Sequence, residues 1–151
     1  MSLFVSIKEL PAVQRILAAA QRDIEAETGE RVRLTILPNS NGLINEDYVV
    51  DLTCALLGLK EENLLSPSRL QLLVDARKIA VLLMRDFLNT TLVKAAAILG
   101  GRDHSTIIHL YNSGMDLLKT QDTAFTIKYE MVKAAFINRL KELGNENKAK
   151  K

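Results

Sequence analysis

The sequence predicts an all-α fold interrupted by one short extended segment. Apolar residues recur every three or four residues over most of the 151-residue chain, which is helical spacing. Glycines and capping residues separate these stretches, as they do at helix ends. Only Arg31–Pro38 alternates apolar with polar side chains, the pattern of a strand.

The N-terminal region combines the first helix with the extended segment. The helix is predicted from about Ile7 to Thr28, because an apolar stripe runs along it and Gly29 follows as a natural stop. In the extended segment the apolar side of the predicted strand runs from Val32 to Ile36. A lone strand leaves an unpaired edge, and a second copy of the chain is one way to cover it.

The next helices are predicted from capping residues and glycine stops. One runs from about Asn45, a candidate cap, to Leu57, and ends at Gly58. Its single cysteine, Cys54, lies among apolar residues and fits a buried structural thiol. A long helix, capped by Ser66 or Ser68, extends to about Leu88.

The last part of the chain holds three more predicted helices. Thr91 is placed to cap a short helix that reaches Leu99, and Gly100-Gly101 then ends it. Arg102 or Asp103 opens the following helix. A final helix covers about 123–143, and the polar tail after it is expected to be disordered.

Composition and charge limit the classes of function. Residues 1–65 hold six basic and ten acidic side chains, whereas 66–119 and 120–151 each hold seven basic and four acidic ones. The basic rear of the chain weakly favours an anionic partner. The sequence has no apolar run of membrane-spanning length, no secretion signal and no phosphate-binding loop. We expect a cytoplasmic, nucleoid-associated protein that is not an enzyme and needs no cofactor, metal or nucleotide.

A short helix, a glycine turn and a longer helix form the outline of a helix-turn-helix. In that motif the start of the second helix faces the major groove, and here it carries "RDHST". Carboxylate, hydroxyl and imidazole groups can all bond base edges, and free backbone N–H groups at a helix start attract phosphate. The simpler alternative is that Asp103 only caps the helix and the glycines only end the previous one. His104 and His109 are five residues apart, so they lack the spacing of a zinc pair.

The stretch "LGGRDHSTIIH", with "NTTLVKAAAI" and "SPSRLQLLVDARKIAVLLMRDF" before it, closely resembles the C-terminal DNA-binding domain of DnaA, the bacterial replication initiator. The resemblance begins near Ile44 and reaches about Lys119. It implies a helix-turn-helix bundle similar to those of DnaA and the Trp repressor, and a chain that carries this domain without the ATPase module of DnaA.

The resemblance also implies which residues meet DNA. It assigns base reading to Asp103 and His104 and shared base and phosphate contacts to Ser105 and Thr106. Further DNA contacts are expected from a second group of residues, which are Arg77, Lys78, Thr91, Lys94 and Arg102. We expect His109 to be structural.

Two residues depart from the DnaA pattern. Asp75 stands where relatives carry an arginine that enters the minor groove, and Lys78 offsets this loss in part. Ser113 replaces a lysine that follows the second histidine. Phosphate contacts are therefore expected to be fewer than in relatives.

These observations predict three regions: an extension at 1–43, a DNA-binding domain at 44–121, and a C-terminal helix with a basic tail at 122–151. The predicted function is sequence-preferring binding of double-stranded DNA at a DnaA-box-like site, in an accessory or regulatory role in replication, in transcription or on a mobile element. The alternative is a protein-interaction module that keeps the fold without specific DNA binding, which the acidic front half and Asp75 favour.

Overall fold

The computed structural model describes residues 10–32, 34 and 44–149. Within these residues the chain forms seven helices. They are α1 (Pro11–Thr28), α2 (Glu46–Leu57), α3 (Glu61–Leu65), α4 (Gln71–Leu88), α5 (Leu92–Ile98), α6 (His104–Lys119) and α7 (Thr123–Ala149). The all-α prediction is confirmed, and none of the described helices is long and apolar enough to cross a bilayer.

The chain divides into two compact units, residues 1–38 and residues 39–151. The first unit contains α1, which starts at Pro11 and ends at Gly29 in the left-handed conformation, with φ 74°. The side-chain amide of Gln21 donates a hydrogen bond to the Val32 carbonyl at 3.2 Å. Val32 and Leu34 are not in a strand, and the other central residues of the predicted strand lie outside the described part of the chain.

The second unit is built around α4, which packs against α2, α6 and α7. From Ile79 to Met84 every side chain of α4 is fully buried, so this helix is the centre of the core. The C-terminal helix α7 contributes the buried aromatic residues Phe125, Tyr129 and Phe136 to the same core. The rings of Phe87 and Phe136 meet edge to face, with centroids 5.4 Å apart.

Local capping follows the sequence prediction in α2 but not in α4. The Asn45 side chain accepts a hydrogen bond from the Tyr48 N–H at 3.0 Å, and Gly58 ends α2 with φ 68°. The prediction that Ser66 or Ser68 caps the long helix is wrong, because α4 begins at Gln71. Both serines instead stabilise the preceding turn: Ser66 Oγ donates to the Asn63 carbonyl at 2.6 Å, and Ser68 Oγ accepts from the Leu70 N–H at 3.4 Å.

The C-terminal helix is longer than its apolar pattern predicts. It continues through Gly144 to Ala149, so the expected disordered tail is wrong for residues 144–149, and Lys150 and Lys151 lie outside the described residues. The segment after Gly144 contains Glu, Lys and Ala, which favour helix, and one exposed glycine costs only about 1 kcal/mol in a helix interior.

Candidate nucleic-acid interface

A tight glycine turn joins α5 to α6. The Thr91 hydroxyl accepts a hydrogen bond from the Lys94 N–H at 3.1 Å, which confirms Thr91 as the cap of α5. Gly100 and Gly101 have φ values of 89° and 76°, a region that favours glycine. A Cβ atom on Gly100 would lie 2.5 Å from the Leu65 carbonyl oxygen. The turn therefore requires glycine at residue 100, both for its backbone conformation and for the close approach of α3.

The start of α6 presents polar side chains that no other part of the described chain uses. Asp103 occupies the N-cap position, yet its carboxylate makes no capping hydrogen bond. Asp103, His104 and Ser105 are exposed, and their side chains make no hydrogen bond or ion pair within the described residues. The simpler alternative, in which the Asp103 side chain only caps α6, therefore does not explain the role of this carboxylate, because it makes no capping bond.

Helical geometry separates the two faces of α6. Ile107 and Leu110 are buried in the core, and Gly114 lies against α4. Residues three and four apart share a face of a helix, so one strip of α6 turns to solvent. All members of this outward strip are exposed: His104, Ser105, Ile108, His109 and Asn112. His109 therefore lies at the surface, on the same strip as His104 and Ser105.

Arg77 lies inside the domain, where it holds the loop between α3 and α4. It is only 4% exposed. Its guanidinium donates to four backbone carbonyls, at distances from 2.6 to 3.3 Å: those of Asn63, Leu64, Ser66 and Ser68. The fork of five N–H donors suits arginine to such a cluster of carbonyls. The Arg77 guanidinium, which was expected to contact DNA, is therefore bonded to the loop instead.

Arg102 reinforces the same loop from the other side. It donates to the Ser66 carbonyl at 2.6 Å, to the Leu65 carbonyl at 3.4 Å and to the Leu99 carbonyl. Burial lowers the pKa of both arginines, and the charge of Arg102 lowers that of Arg77 further. Arg102 therefore connects the glycine turn to the α3–α4 loop, and Arg77 holds the same loop from α4.

This arrangement leaves an open cleft of about 710 Å³ beside the start of α6. Its polar lining comes from three arginines, Arg69, Arg77 and Arg102, and from Ser105, Thr106 and His109 of α6. Arg69 is exposed, and sequence reasoning missed it because it was placed inside the predicted long helix. Its position between Pro67 and the start of α4 was the available signal, because proline marks a turn.

Lys94 lies on the exposed side of α5, where it pairs with α2. Its ammonium is 3.2 Å from Glu46 Oε2, and its side chain is 59% exposed. Glu46 Oε1 also accepts a hydrogen bond from the Thr90 hydroxyl at 2.9 Å. Burial acts to raise the pKa of Glu46, but hydrogen bonds from its own backbone, Thr90 and Lys94, with the Lys94 charge, lower it on balance. Lys94 is therefore accessible and already has a carboxylate partner.

Asp75 and Lys78 are both buried in the second unit. Asp75 Oδ2 is 3.0 Å from Lys128 Nζ of α7, and Oδ1 accepts from the Gln71 side-chain amide at 2.7 Å. The expectation that Asp75 faces the DNA groove is therefore wrong, because this carboxylate is directed into the contact between α4 and α7.

The chemistry of this surface is that of hydrogen bonding and charge. In the described part of the chain no group of three metal-ligating side chains lies together. An exposed helix start with a carboxylate, an imidazole and hydroxyls, beside a cleft that the exposed Arg69 also lines, can contact base edges and phosphates.

Comparison with known proteins identifies the domain that bears this surface. A family model described as "Bacterial dnaA protein helix-turn-helix" matches residues 47–113, from α2 through most of α6. Residues 47–113 are a DnaA-type helix-turn-helix domain. Two curated relatives agree, and both are described as the chromosomal replication initiator protein DnaA. The protein of a Synechococcus species is 35% identical over 72 residues, which cover 48% of this chain and 15% of the relative.

The second relative, from Streptococcus pyogenes, is 25% identical over 132 residues, which cover 87% of this chain and 27% of the relative. The chain thus spans a small part of the length of both DnaA proteins. The matched range includes α5, the glycine turn and most of α6. This class of domain supports DNA binding by its helix-turn-helix.

Proposed function

We propose that this chain binds double-stranded DNA with a sequence preference, through the first two turns of α6 in the major groove. The observation that carries the proposal is the exposed set Asp103, His104 and Ser105, whose side-chain polar groups have no partner within the described residues. Exposed groups without internal partners are free to bond base edges, whereas groups that stabilise the fold are already bonded.

In this proposal base reading and charge come from different residues. Asp103, His104, Ser105 and Thr106 face the bases or their phosphates. Arg69 and Lys94 are the accessible cations, and the free N–H groups at the start of α6 hold one phosphate. Arg77, Lys78 and Arg102 act indirectly, since they are buried or bonded to carbonyls.

The DNA site that α6 binds resembles the DnaA box. The role of the chain is accessory or regulatory, in replication, in transcription or on a mobile element. This assignment is supported by the DnaA-type domain and by the unbroken match to the motif at Gly100–His109. We further propose that residues 44–121 form the DNA-binding domain, with 1–43 as an extension that can hold a second copy of the chain. Residues 122–151 support the domain through the buried face of α7.

The competing hypothesis is a protein-interaction module without DNA affinity. One of the two arguments for it does not hold. Asp75 was expected to repel phosphate, but it is paired with Lys128 inside the unit. The acidic front half of the chain remains as the other argument.

Selection from a random duplex library tests the proposal directly. The full chain is expected to enrich one asymmetric motif, and the His104→Ala variant is expected to enrich it weakly or not at all. Enrichment of no motif at low salt would contradict the proposal and favour the interaction module.

A further inference from the structure

The outward strip of α6 contains one large apolar side chain among polar ones. Ile108 is 44% exposed. Its neighbours on the strip are His104, Ser105, His109 and Asn112, all exposed. An isolated exposed isoleucine needs no explanation, but one surrounded by the proposed base-reading groups lies where DNA would cover it.

The helical phase puts Ile108 close to the middle of the strip. At 100° per residue it is turned about 40° from His104 and about 60° from Ser105. It lies about 6 Å along the axis from His104, within the second turn of the helix. Any duplex that contacts both His104 and Ser105 in the major groove therefore passes in front of Ile108.

The major groove offers one apolar group at the base edges, the 5-methyl group of thymine. We propose that Ile108 reads a thymine by packing its branched side chain on this methyl group. The inference rests on the proposed function and adds a specific base to it. Burial of the methyl group against an aliphatic side chain stabilises the complex, whereas cytosine carries only a hydrogen at this position, and its neighbouring N4 amino group would find no hydrogen-bond partner on Ile108.

Replacement of thymine by uracil tests the contact, because uracil lacks only the methyl group. In the selected duplex each thymine is replaced in turn by uracil, and binding of the full chain is measured by fluorescence anisotropy. At one thymine, the uracil duplex should bind wild type about three- to fivefold more weakly, as expected for the loss of one buried methyl group. Ile108→Ala should bind thymine and uracil equally at that position.

Ile127→Ala is the matched control, because Ile127 is 64% exposed on the helix α7 rather than on α6. This control should keep the thymine-to-uracil ratio of the wild type. Ile108→Val, which keeps a branched side chain, should retain a part of that ratio. Circular dichroism should show equal helix content in all variants, because alanine and valine replace an exposed side chain.

The outcomes separate the inference from the proposed function. If wild type binds the selected duplex and Ile108→Ala leaves the uracil penalty unchanged at every thymine, the thymine contact is overturned and DNA binding stands. The same holds if no thymine in the site is sensitive to uracil. If wild type binds no duplex, both proposals are overturned.

Discussion

Asp75 illustrates at the residue scale how the direction of one side chain decides its role. Its carboxylate lies between α4 and α7, bonded to Gln71 and Lys128, and it is only 4% exposed. A carboxylate in this position stabilises the helix contact when both partners are present. Removing it leaves the Lys128 charge half-buried without its partner, which is costly.

We therefore predict that Asp75→Ala lowers the free energy of unfolding by about 1–3 kcal/mol and leaves DNA affinity unchanged within about twofold. Urea unfolding and anisotropy on one duplex measure the two quantities. Asp116→Ala removes an exposed carboxylate of α6 and is the control for stability, with an expected change within about 0.5 kcal/mol. A normal unfolding midpoint for Asp75→Ala, or a marked gain in DNA affinity, would show that Asp75 faces solvent.

Asp51 on α2 gives a prediction about pH. Burial, followed by the negative charges of Glu61 and Asp47, raises the pKa of its carboxyl from 3.8 to about 6. The folded chain then binds a proton more tightly than the unfolded chain, so this group lowers stability as pH rises from about 4 to 6.

Asp51→Asn should therefore stabilise the protein at pH 7 by roughly 0.5–1 kcal/mol, after screening of a partly exposed group, and should lose this advantage near pH 4. Thermal unfolding at the two pH values measures the difference. Glu62→Gln, on the exposed side of α3, should give no comparable gain. An equal effect of Asp51→Asn at both pH values would mean that its carboxyl titrates as a solvated group.

At the scale of elements, Glu46 connects α2 to the start of α5. It holds Lys94 at 3.2 Å and the Thr90 hydroxyl at 2.9 Å. Because a phosphate must compete with Glu46 for Lys94, the pair weakens any DNA contact of this lysine.

Glu46→Gln should tighten binding to all duplexes by about twofold at low salt, since glutamine keeps the bond from Thr90 and releases Lys94. Anisotropy on the selected duplex and on a scrambled one measures the gain. In the Lys94→Ala background the same change should have no effect on affinity. A gain that persists without Lys94 would instead indicate a general reduction of negative charge near the DNA.

Gly114 sets the distance between α4 and α6. A Cβ atom there would lie 2.9 Å from Leu82 Cδ1, and Leu82 is fully buried. Close packing at this point allows α4 to support the recognition helix along its length.

Gly114→Ala should destabilise the protein by about 1–2 kcal/mol, because the crowding outweighs the helix preference of alanine. Gly144→Ala is the matched control, since Gly144 is also helical but a Cβ atom added to it would meet no other atom within 4 Å. It should stabilise by about 0.5–1 kcal/mol. Equal effects of the two substitutions on the thermal midpoint would contradict the close approach of α4 and α6.

The parts of the fold that depend on neighbouring residues could be predicted from the sequence. Helix caps and glycine stops act within a few residues of the helix end, so their roles could be predicted. These residues are Asn45, Gly58, Thr91 and Gly100. Lys128, the ionic partner of Asp75, lies 53 residues away, and the partners of Arg77 lie up to 14 residues away, so no local pattern indicates them. The start of α6 could be predicted as the candidate site because its residues are consecutive in the sequence. The exposure of Arg69 and His109 beside it depends on the loop conformation and the helix phase, which the sequence does not give.

At the scale of the whole molecule, the buried charges and the exposed ones have different tasks. Arg102 bonds the turn before α6 to the α3–α4 loop, which Arg77 also holds, while Arg69 and Lys94 remain exposed. With two accessible cations at the interface, the log–log slope of affinity against salt should be about −2.

The central claim, that α6 reads bases while the cations beside it hold phosphates, is tested most directly by comparing His104→Ala with Lys94→Ala. Each is measured by anisotropy on the selected duplex and on a scrambled one from about 50 to 200 mM salt. His104→Ala should weaken only the selected duplex, by about 1–3 kcal/mol, and Lys94→Ala should weaken both alike and flatten the salt slope by about one. If both variants lowered binding to the two duplexes by the same factor, the division between base reading and phosphate contact would be wrong.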